Sequence, residues 1–202
     1  SRIIQCLPAL TLRTKIRWGD GNMKRHIGVA CLVTCVTAAS ALAQDVRITQ
    51  ELDKVSVNLN GANVVIERNQ NQATRLSSEF TKTSRPCPPF CIQPMSLAPG
   101  VQTFGELEVI SFLQSEVQDG SGLLIDTRLP EWFEKGSIPG AVNLPFSTLE
   151  ADNPFRDEIL RALGASDSTG SWDFSGVFTL TLFCNGPWCA QTAIAVSALL
   201  EV

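Results

Sequence analysis

The hydrophobic pattern of the chain begins with a two-residue period. Apolar and polar residues alternate from Lys54 to Leu59, and the run from Ala62 to Glu67 places Val64 and Ile66 on one face. Such alternation predicts strands with one buried face. Asn60-Gly61 separates the two runs, and this dipeptide favours the tight turn of a β-hairpin. We therefore expect residues 44–100 to hold a small β-hairpin extension followed by a polar linker rich in proline and cysteine.

A helical spacing replaces the alternation after residue 101. The apolar positions that recur every three or four residues are Leu107, Ile110, Leu113 and Val117. This spacing predicts a helix with one buried face. Thr103 precedes the run and Glu106 follows three residues later, so the sequence predicts a capping box with Thr103 as the N-cap.

Strands and helices are then predicted in alternation to residue 200. The elements expected are a buried strand at 123–125, a short helix at 130–135 with Trp132 and Phe133 in the core, a strand within 136–145, a helix at 154–163, a polar connection at 164–176, a strand at 177–183 and a helix at 190–200. This order predicts an α/β fold with a mostly parallel sheet and right-handed crossovers.

The N-terminal segment has the pattern of a secretory signal peptide. A basic start at Met23 leads into an apolar run at 27–36, and Ala41-Leu42-Ala43 is typical of a cleavage site. We therefore expect a signal peptide at 23–43, upstream non-native translation at 1–22, and a periplasmic or secreted mature chain. An uncleaved membrane anchor is the alternative, but the apolar run is short for a span, so no stable membrane insertion is expected after cleavage.

Cleavage would change the charge and the available chemistry. Residues 1–43 hold the single histidine, His26, six of the 16 basic residues and one of the 20 acidic residues. The mature chain would carry 10 basic and 19 acidic residues, a net charge of −9, and no histidine. Catalysis through Ser-His-Asp or Cys-His, and metal binding through histidine, are then disfavoured. Nucleic acid and anionic membranes are poor partners for such a charge.

Four of the seven cysteines would remain, as the close pairs Cys87/Cys91 and Cys184/Cys189. Cys87 and Cys91 lie in a proline-rich string at 85–95, and an exported protein favours a disulfide between them. Half of a metal site and a redox or sulfur-accepting pair are the alternatives. No further ligands with metal-site spacing accompany either pair, so we predict no metal and no cofactor.

Cys184 stands at the expected tip of a strand. The apolar run 177–183 leads directly into it, and a helix is predicted from Ala190 after a short loop. Ligands bind at this end of strands in open α/β sheets. Loop N–H groups and a helix N-terminus there would bind an anion and stabilise a thiolate. A buried structural thiol is the plainer alternative.

Two motifs together resemble a rhodanese-like domain. Residues 124–145 contain Ile125-Asp126-Thr127-Arg128, a short aromatic helix and Gly136-Ser137-Ile138-Pro139-Gly140-Ala141, which is similar to the first half of that family. The loop after Cys184 resembles its active-site loop. The resemblance covers about 101–202 and implies a doubly wound, mostly parallel sheet. The family continues through a further strand and helix, which implies a domain incomplete at its C-terminus.

The resemblance also implies a role for each site residue. Cys184 would take a sulfane sulfur from thiosulfate or a similar donor, hold it as a persulfide, and pass it to a thiol or cyanide. The binding loop would comprise Asn185, Gly186, Trp188, Cys189 and Ala190. Asp126 and Arg128 would support it, and each is expected to be the other's neighbour.

Departures from the family keep other functions open. Cys189 stands where the family usually has an arginine that holds an anionic donor, and Ser137 stands where it often has histidine. Loss of the arginine disfavours phosphatase activity and weakens thiosulfate binding. It also allows Cys189 to resolve a Cys184 persulfide or sulfenic acid as a disulfide. The alternatives to a sulfurtransferase are therefore a thiol–disulfide redox protein and a catalytically silent binding module that uses 44–100 for interaction.

Overall fold

The computed structural model describes residues 45–75, 95–168 and 170–202. The described residues from Val46 onward belong to one compact unit. The predicted signal peptide and the Cys87/Cys91 pair lie outside the described residues, so their assignments stay predictions.

The described elements follow the predicted α/β order. They are β1 (Lys54–Leu59), β2 (Ala62–Glu67), α1 (Glu106–Phe112) with a π-helical turn (Leu113–Val117), β3 (Gly122–Asp126), α2 (Pro130–Lys135), β4 (Val142–Asn143), a 3-10 turn (Phe146–Leu149), α3 (Arg156–Ala162), β5 (Ser166–Asp167), β6 (Trp172–Asp173), β7 (Thr179–Phe183) and α4 (Gln191–Leu200).

The predicted hairpin is confirmed. β1 and β2 pair antiparallel, with Leu59 opposite Ala62. Asn60 and Gly61 both have positive φ angles, 52° and 82°, as the tight turn between twisted strands requires. The apolar residues of β1 are buried and its polar residues are exposed, so the hairpin has one face for packing.

A three-stranded parallel sheet carries the rest of the fold, in the order β4-β3-β7. Asp126 at the end of β3 pairs with Phe183 at the end of β7 and with Asn143 in β4. Because the strands run in the same direction, their carboxyl ends meet at one edge. The backbone N–H of Thr127 donates to the carbonyl oxygen of Phe183 across that edge, at 3.0 Å.

Successive residues of β3 face opposite sides of the sheet, and both sides are covered. Leu124 is 0% exposed and Ile125 is 1% exposed. The side of Leu124 packs on the hairpin and α1, in a cluster made of Val55, Val57, Leu59, Ile110, Phe112, Leu113, Leu124 and Phe183. The side of Ile125 packs with α4 and the 3-10 turn, in a cluster made of Ile125, Leu149, Leu163, Ala195 and Ala198. The sheet is therefore covered on both faces, as the resemblance implied.

The predicted start of α1 was wrong by two residues. Gly105, in an extended conformation, is the N-cap, and its N–H donates to the Glu108 carboxylate at 2.9 Å. The Thr103 hydroxyl instead donates to the carbonyl oxygen of Met95 at 2.7 Å. Glu106 pairs with Arg68 at 2.5 Å. Both members of the predicted capping box therefore bond to residues outside the helix, Thr103 to Met95 and Glu106 to Arg68.

The predicted apolar face of α1 was also partly wrong. Leu107 is 48% exposed, whereas Ile110 and Leu113 are buried as expected. Phe112 is buried too, and its ring lies 6.4 Å from that of Phe104. The π-helical turn changes the periodicity after Phe112, so a strict helical spacing does not describe this face.

Two further expectations differ from the structure. Trp132 and Phe133 are half-buried, because α2 is a short surface helix with no buried residue. The connection at 164–176 contains a small antiparallel pair, β5-β6, in which Asp167 lies opposite Trp172. None of the helices in the described part of the chain has the length and hydrophobicity needed to cross a membrane.

Candidate active site

Cys184 follows β7 directly and lies at the carboxyl edge of the sheet. The residue is 0% exposed. Its Sγ lies 3.4 Å from the carbonyl oxygen of Cys189 and 3.8 Å from that of Gly186. The loop from 185 to 190 therefore folds over the sulfur and closes with a bond from the Cys189 N–H to the Gly186 carbonyl at 2.9 Å.

Gly186 permits this fold of the loop. Its φ of 150° lies in a region that side-chain-bearing residues rarely adopt. A Cβ built on Gly186 would also lie 2.7 Å from an atom of the Trp188 ring, so the indole packs against the bare backbone. Trp188 therefore shapes the loop, and Gly186 is required for that packing.

Hydrogen bonds from the loop and the helix lower the pKa of Cys184 to about 5, from an ordinary value of 9.0. The Cys189 thiol is the largest cause. Burial opposes it, and the hydroxyl and backbone N–H of Thr192 and the backbone N–H of Gly186 lower the pKa further. A thiolate is therefore the stable form of Cys184 at neutral pH.

Cys189 has the opposite behaviour. Its hydrogen bond to Cys184 and its partial burial raise its pKa above the ordinary value of 9.0. Both thiols are free, and the Cys189 Sγ also lies 3.6 Å from the Gln191 Oε1. The two sulfurs titrate as a pair in which Cys184 carries the charge and Cys189 keeps the proton.

Asp126 and Arg128 form a buried ion pair beneath the loop. The guanidinium donates from Nε to Asp126 Oδ1 at 2.8 Å and from Nη2 to Oδ2 at 2.5 Å. Ser137 also donates to Asp126 Oδ2, at 2.7 Å. The remaining Arg128 donors bind the Gly136 carbonyl at 2.8 Å and Asn185 Oδ1 at 3.1 Å. The predicted pairing is confirmed, and the arginine also fixes the residue after Cys184.

Two buried threonines belong to the site and were missed by the sequence analysis. Thr127 is 0% exposed and Thr192 is 3% exposed, and their Oγ1 atoms lie 2.9 Å apart. Thr127 follows β3 and Thr192 lies in the first turn of α4. Their position after a strand and at a predicted helix start was the available signal, because polar groups at such ends are buried only with partners.

A cavity of about 190 Å³ lies beside the loop. Its lining residues are Met95, Leu97, Gly186, Pro187, Trp188, Cys189, Ala190, Thr192 and Ala193. No basic side chain is among these lining residues. A larger cavity of about 360 Å³ runs along β7, but its walls include none of the loop residues 184–190. The smaller cavity is the one that can admit a reactant to the loop.

The predicted site residues that lie in the described ranges come together at the loop after Cys184. Cys184, Asn185, Gly186, Trp188, Cys189 and Ala190 form one loop, and Asp126 and Arg128 support it from β3. Cys87 and Cys91 are not placed. Within the described ranges, no group of three or more cysteine, histidine, aspartate or glutamate side chains could hold a metal ion.

A buried, low-pKa thiol at the carboxyl edge of a parallel sheet defines a cysteine-dependent site on an α/β domain. Residues 110–201 match the family model described as the rhodanese-like domain, so this chain contains a rhodanese-like domain. This membership suggests sulfurtransferase-type or related chemistry. Searches of the curated proteins and of the solved structures each gave no significant match.

Proposed function

We propose that this protein is an exported sulfurtransferase that carries sulfane sulfur on Cys184. One observation carries the proposal: Cys184 lies between β7 and α4, where hydrogen bonds from Cys189 and Thr192 lower its pKa to about 5. The thiolate is the nucleophilic form of cysteine, whereas a structural thiol would gain nothing from ionisation. The rhodanese-like domain supports the same chemistry.

The reaction takes two half-reactions that share Cys184 as carrier. The Cys184 thiolate attacks the outer sulfur of thiosulfate; the new S–S bond forms as the old one breaks, and sulfite leaves with the electron pair. The product is a Cys184 persulfide anion. A thiolate or cyanide acceptor then attacks its terminal sulfur, and the Cys184 thiolate leaves, ready for another turnover.

The loop supplies orientation rather than positive charge. Arg128 is committed to Asp126, Gly136 and Asn185, so its guanidinium fixes the loop and does not face the cavity. Asn185, Gly186, Trp188 and Ala190 shape the enclosure. The side chain at 189 is a thiol that donates to Cys184 and cannot clamp an anion bidentately. We therefore infer that weakly charged donors, such as organic persulfides, react better than thiosulfate.

Access requires the loop to move, because Cys184 is 0% exposed. The cavity beside Trp188 and Cys189 is the nearest space for a donor. Displacing the loop from 185 to 190 would expose the Cys184 sulfur without disturbing β3 or β7. Small donors and small thiol acceptors fit a cavity of about 190 Å³ better than a folded partner does.

A redox function is the second candidate, because the two thiols are hydrogen-bonded to each other. In this version Cys189 attacks the inner sulfur of a Cys184 persulfide, a disulfide forms, and hydrogen sulfide leaves with the terminal sulfur. An external thiol must then reduce the disulfide before another cycle. The retained proton on Cys189 disfavours this route at neutral pH, because a protonated thiol is a weak nucleophile.

Intact mass spectrometry separates these functions. The reduced chain is treated with thiosulfate, or with an organic persulfide, and compared with Cys184→Ser and Cys189→Ser. A gain of one sulfur that Cys184→Ser abolishes and Cys189→Ser retains supports the sulfurtransferase. Loss of two protons that needs both cysteines supports the redox pair. No change under either treatment leaves a silent binding module and overturns the proposal.

The proposed export has its own test. Expression with the native N-terminus in a Gram-negative host, followed by fractionation and N-terminal sequencing, should yield a periplasmic chain that begins at Gln44. A chain retained in the cytoplasm with Met23 still attached would contradict the signal peptide. An uncut chain in the membrane fraction would instead indicate an anchor.

A further inference from the structure

The site contains two buried hydroxyl groups that the proposed reaction does not yet use. Thr127 follows β3 and Thr192 lies in the first turn of α4, so the edge of the sheet brings them together. Thr127 Oγ1 also lies 2.9 Å from the carbonyl oxygen of Phe183. A hydrogen bond from the Thr192 hydroxyl also lowers the pKa of Cys184. The groups form a continuous line from a carbonyl oxygen to the sulfur.

The number of protons limits how this line can be bonded. Each threonine hydroxyl has one proton to donate and can accept from other donors. The Phe183 carbonyl can only accept, and an anionic sulfur can only accept. Two hydroxyl protons must therefore serve three contacts, so one contact is always left without a proton. If both protons pointed outward, to the carbonyl and to the sulfur, the two hydroxyl oxygens would face each other at 2.9 Å with no proton between them.

Two arrangements keep a proton between the two hydroxyl oxygens. When Cys184 is anionic, Thr192 donates to the sulfur and Thr127 donates to Thr192. When the sulfur is neutral, Thr127 donates to the Phe183 carbonyl and Thr192 donates to Thr127. In the neutral thiol, the Cys184 proton can face the Cys189 carbonyl oxygen, 3.4 Å away.

We propose that Thr127 and Thr192 form a two-hydroxyl relay whose protons turn toward the Cys184 sulfur when it is anionic and toward the Phe183 carbonyl when it is neutral. The inference rests on the proposed function for its role in turnover. Thr192 touches the reacting sulfur and is a catalytic residue, whereas Thr127 acts through Thr192 and is a positioning residue.

The relay would act on the step that regenerates the thiolate. In the persulfide, the charge lies on the terminal sulfur and the Cys184 Sγ is neutral. When an acceptor takes the terminal sulfur, the charge returns to Sγ and both hydroxyls turn toward it. A thiolate stabilised in this way is a better leaving group, so transfer to the acceptor becomes faster.

The effect of the relay on the pKa of Cys184 can be separated from the effects of neighbouring charged groups. Among the described residues, the Cys189 thiol is the ionisable neighbour that shifts the pKa of Cys184. The Asp126–Arg128 pair lies at the same edge of the sheet, and its two charges compensate each other. Removing the Thr127 hydroxyl leaves no unpaired carbonyl, because the Thr127 N–H still donates to the Phe183 oxygen at 3.0 Å.

A double-mutant cycle tests the coupling on the full chain. The variants are Thr127→Val, Thr192→Val and the double variant, and Thr127→Ser and Thr192→Ser retain each hydroxyl. Iodoacetamide alkylation of Cys184 is followed from pH 4 to 9, with the modified peptide quantified by mass spectrometry. This measurement reports the pKa of the thiol and requires no sulfur transfer.

We expect Thr192→Val to raise the pKa of Cys184 by about one unit and Thr127→Val by roughly half a unit. In the double variant, Thr127→Val should add nothing, because its path to the sulfur is already cut. Both serine variants should keep the pKa of the parent chain. Each valine variant is first checked by circular dichroism, and alanine replaces any valine that prevents folding.

An equal effect of Thr127→Val in both backgrounds would overturn the relay, and so would the absence of any effect in the parent chain. The outcome is independent of the proposed function. If no donor loads sulfur onto Cys184 but the cycle shows the coupling, the sulfurtransferase proposal fails and the relay stands.

Discussion

Removing the Cys189 thiol should make Cys184 harder to ionise. The hydrogen bond from Cys189 is the largest of the contributions that bring the pKa of Cys184 from 9.0 to about 5. In Cys189→Ala the bonds from Thr192 and Gly186 remain, while burial continues to oppose the charge. We therefore expect the pKa of Cys184 to rise by roughly two units, about half of the total shift.

The size of the effect depends on the pH of the assay. At pH 6, a thiol of pKa 5 is about nine-tenths ionised, and a thiol with a pKa two units higher is about one-tenth ionised. Alkylation of Cys184 should therefore be about tenfold slower in Cys189→Ala at pH 6. At pH 8 both forms are almost fully ionised, so the rates should agree to within about twofold.

The measurement is the rate of iodoacetamide alkylation at Cys184, resolved by peptide mass spectrometry over pH 4 to 9. Cys189→Ser is the matched control, because its hydroxyl can still donate to the thiolate, and it should retain most of the lowered pKa. An unchanged pKa in Cys189→Ala would refute the reasoning. The low pKa would then have to come from Thr192, Gly186 and the N-terminus of α4.

Three further predictions concern stability and donor choice. The free energy of unfolding should rise with pH between about 5 and 9, by at most about 1.4 kcal/mol per unit, because unfolded Cys184 binds a proton that the folded protein does not. Above pH 9 the free energy of unfolding should fall, because folded Cys189 keeps the proton that unfolded Cys189 loses. Urea titrations that compare the chain with a variant in which both cysteines are changed to serine would reveal the two opposite slopes. Arg128→Met should cost about 3–5 kcal/mol in a urea titration, because it leaves the Asp126 carboxylate buried without a counter-charge. Cys189→Arg should raise kcat/KM for thiosulfate at least about tenfold relative to an uncharged donor, because the new guanidinium can bind the anionic donor.

Each of these predictions has an outcome that contradicts it. A pH-independent difference in unfolding free energy between the parent chain and the double serine variant would mean that the cysteines are not ionised as proposed. A loss below about 1 kcal/mol in Arg128→Met would place Asp126 in contact with water. An unchanged preference between donors in Cys189→Arg would show that position 189 does not contact the donor.

Local signals in the sequence determined most of the elements. The hairpin follows from alternation plus Asn60-Gly61, because both turn residues can adopt the positive φ that such a turn needs. The strand that precedes Cys184 follows from an apolar run with a helical segment after a short loop. The parallel sheet follows from the alternation of strands and helices, and the motif after Ile125 indicated the family.

Tertiary contacts decided the start of α1 and the faces that it buries. Thr103 had the right spacing to cap the helix, but its hydroxyl bonds to Met95, and Gly105 takes the position instead. Leu107 fitted the apolar stripe but is exposed, because the helix packs against the core through Val109, Ile110 and Phe112. Spacing within one segment carries no information about partners from other segments.

The features of the active site also divide into those that the sequence determined and those that the tertiary structure decided. The sequence by itself determined that Cys184 would stand at a strand tip before a helix, with Cys189 five residues later, because a strand, loop and helix are contiguous. Only the tertiary structure decided which side chains support the loop, because the Thr127–Thr192 contact joins residues 65 positions apart and the bond from Arg128 to Asn185 spans 57. Such contacts arise when parallel strands place their carboxyl ends at one edge, and a local pattern cannot encode them.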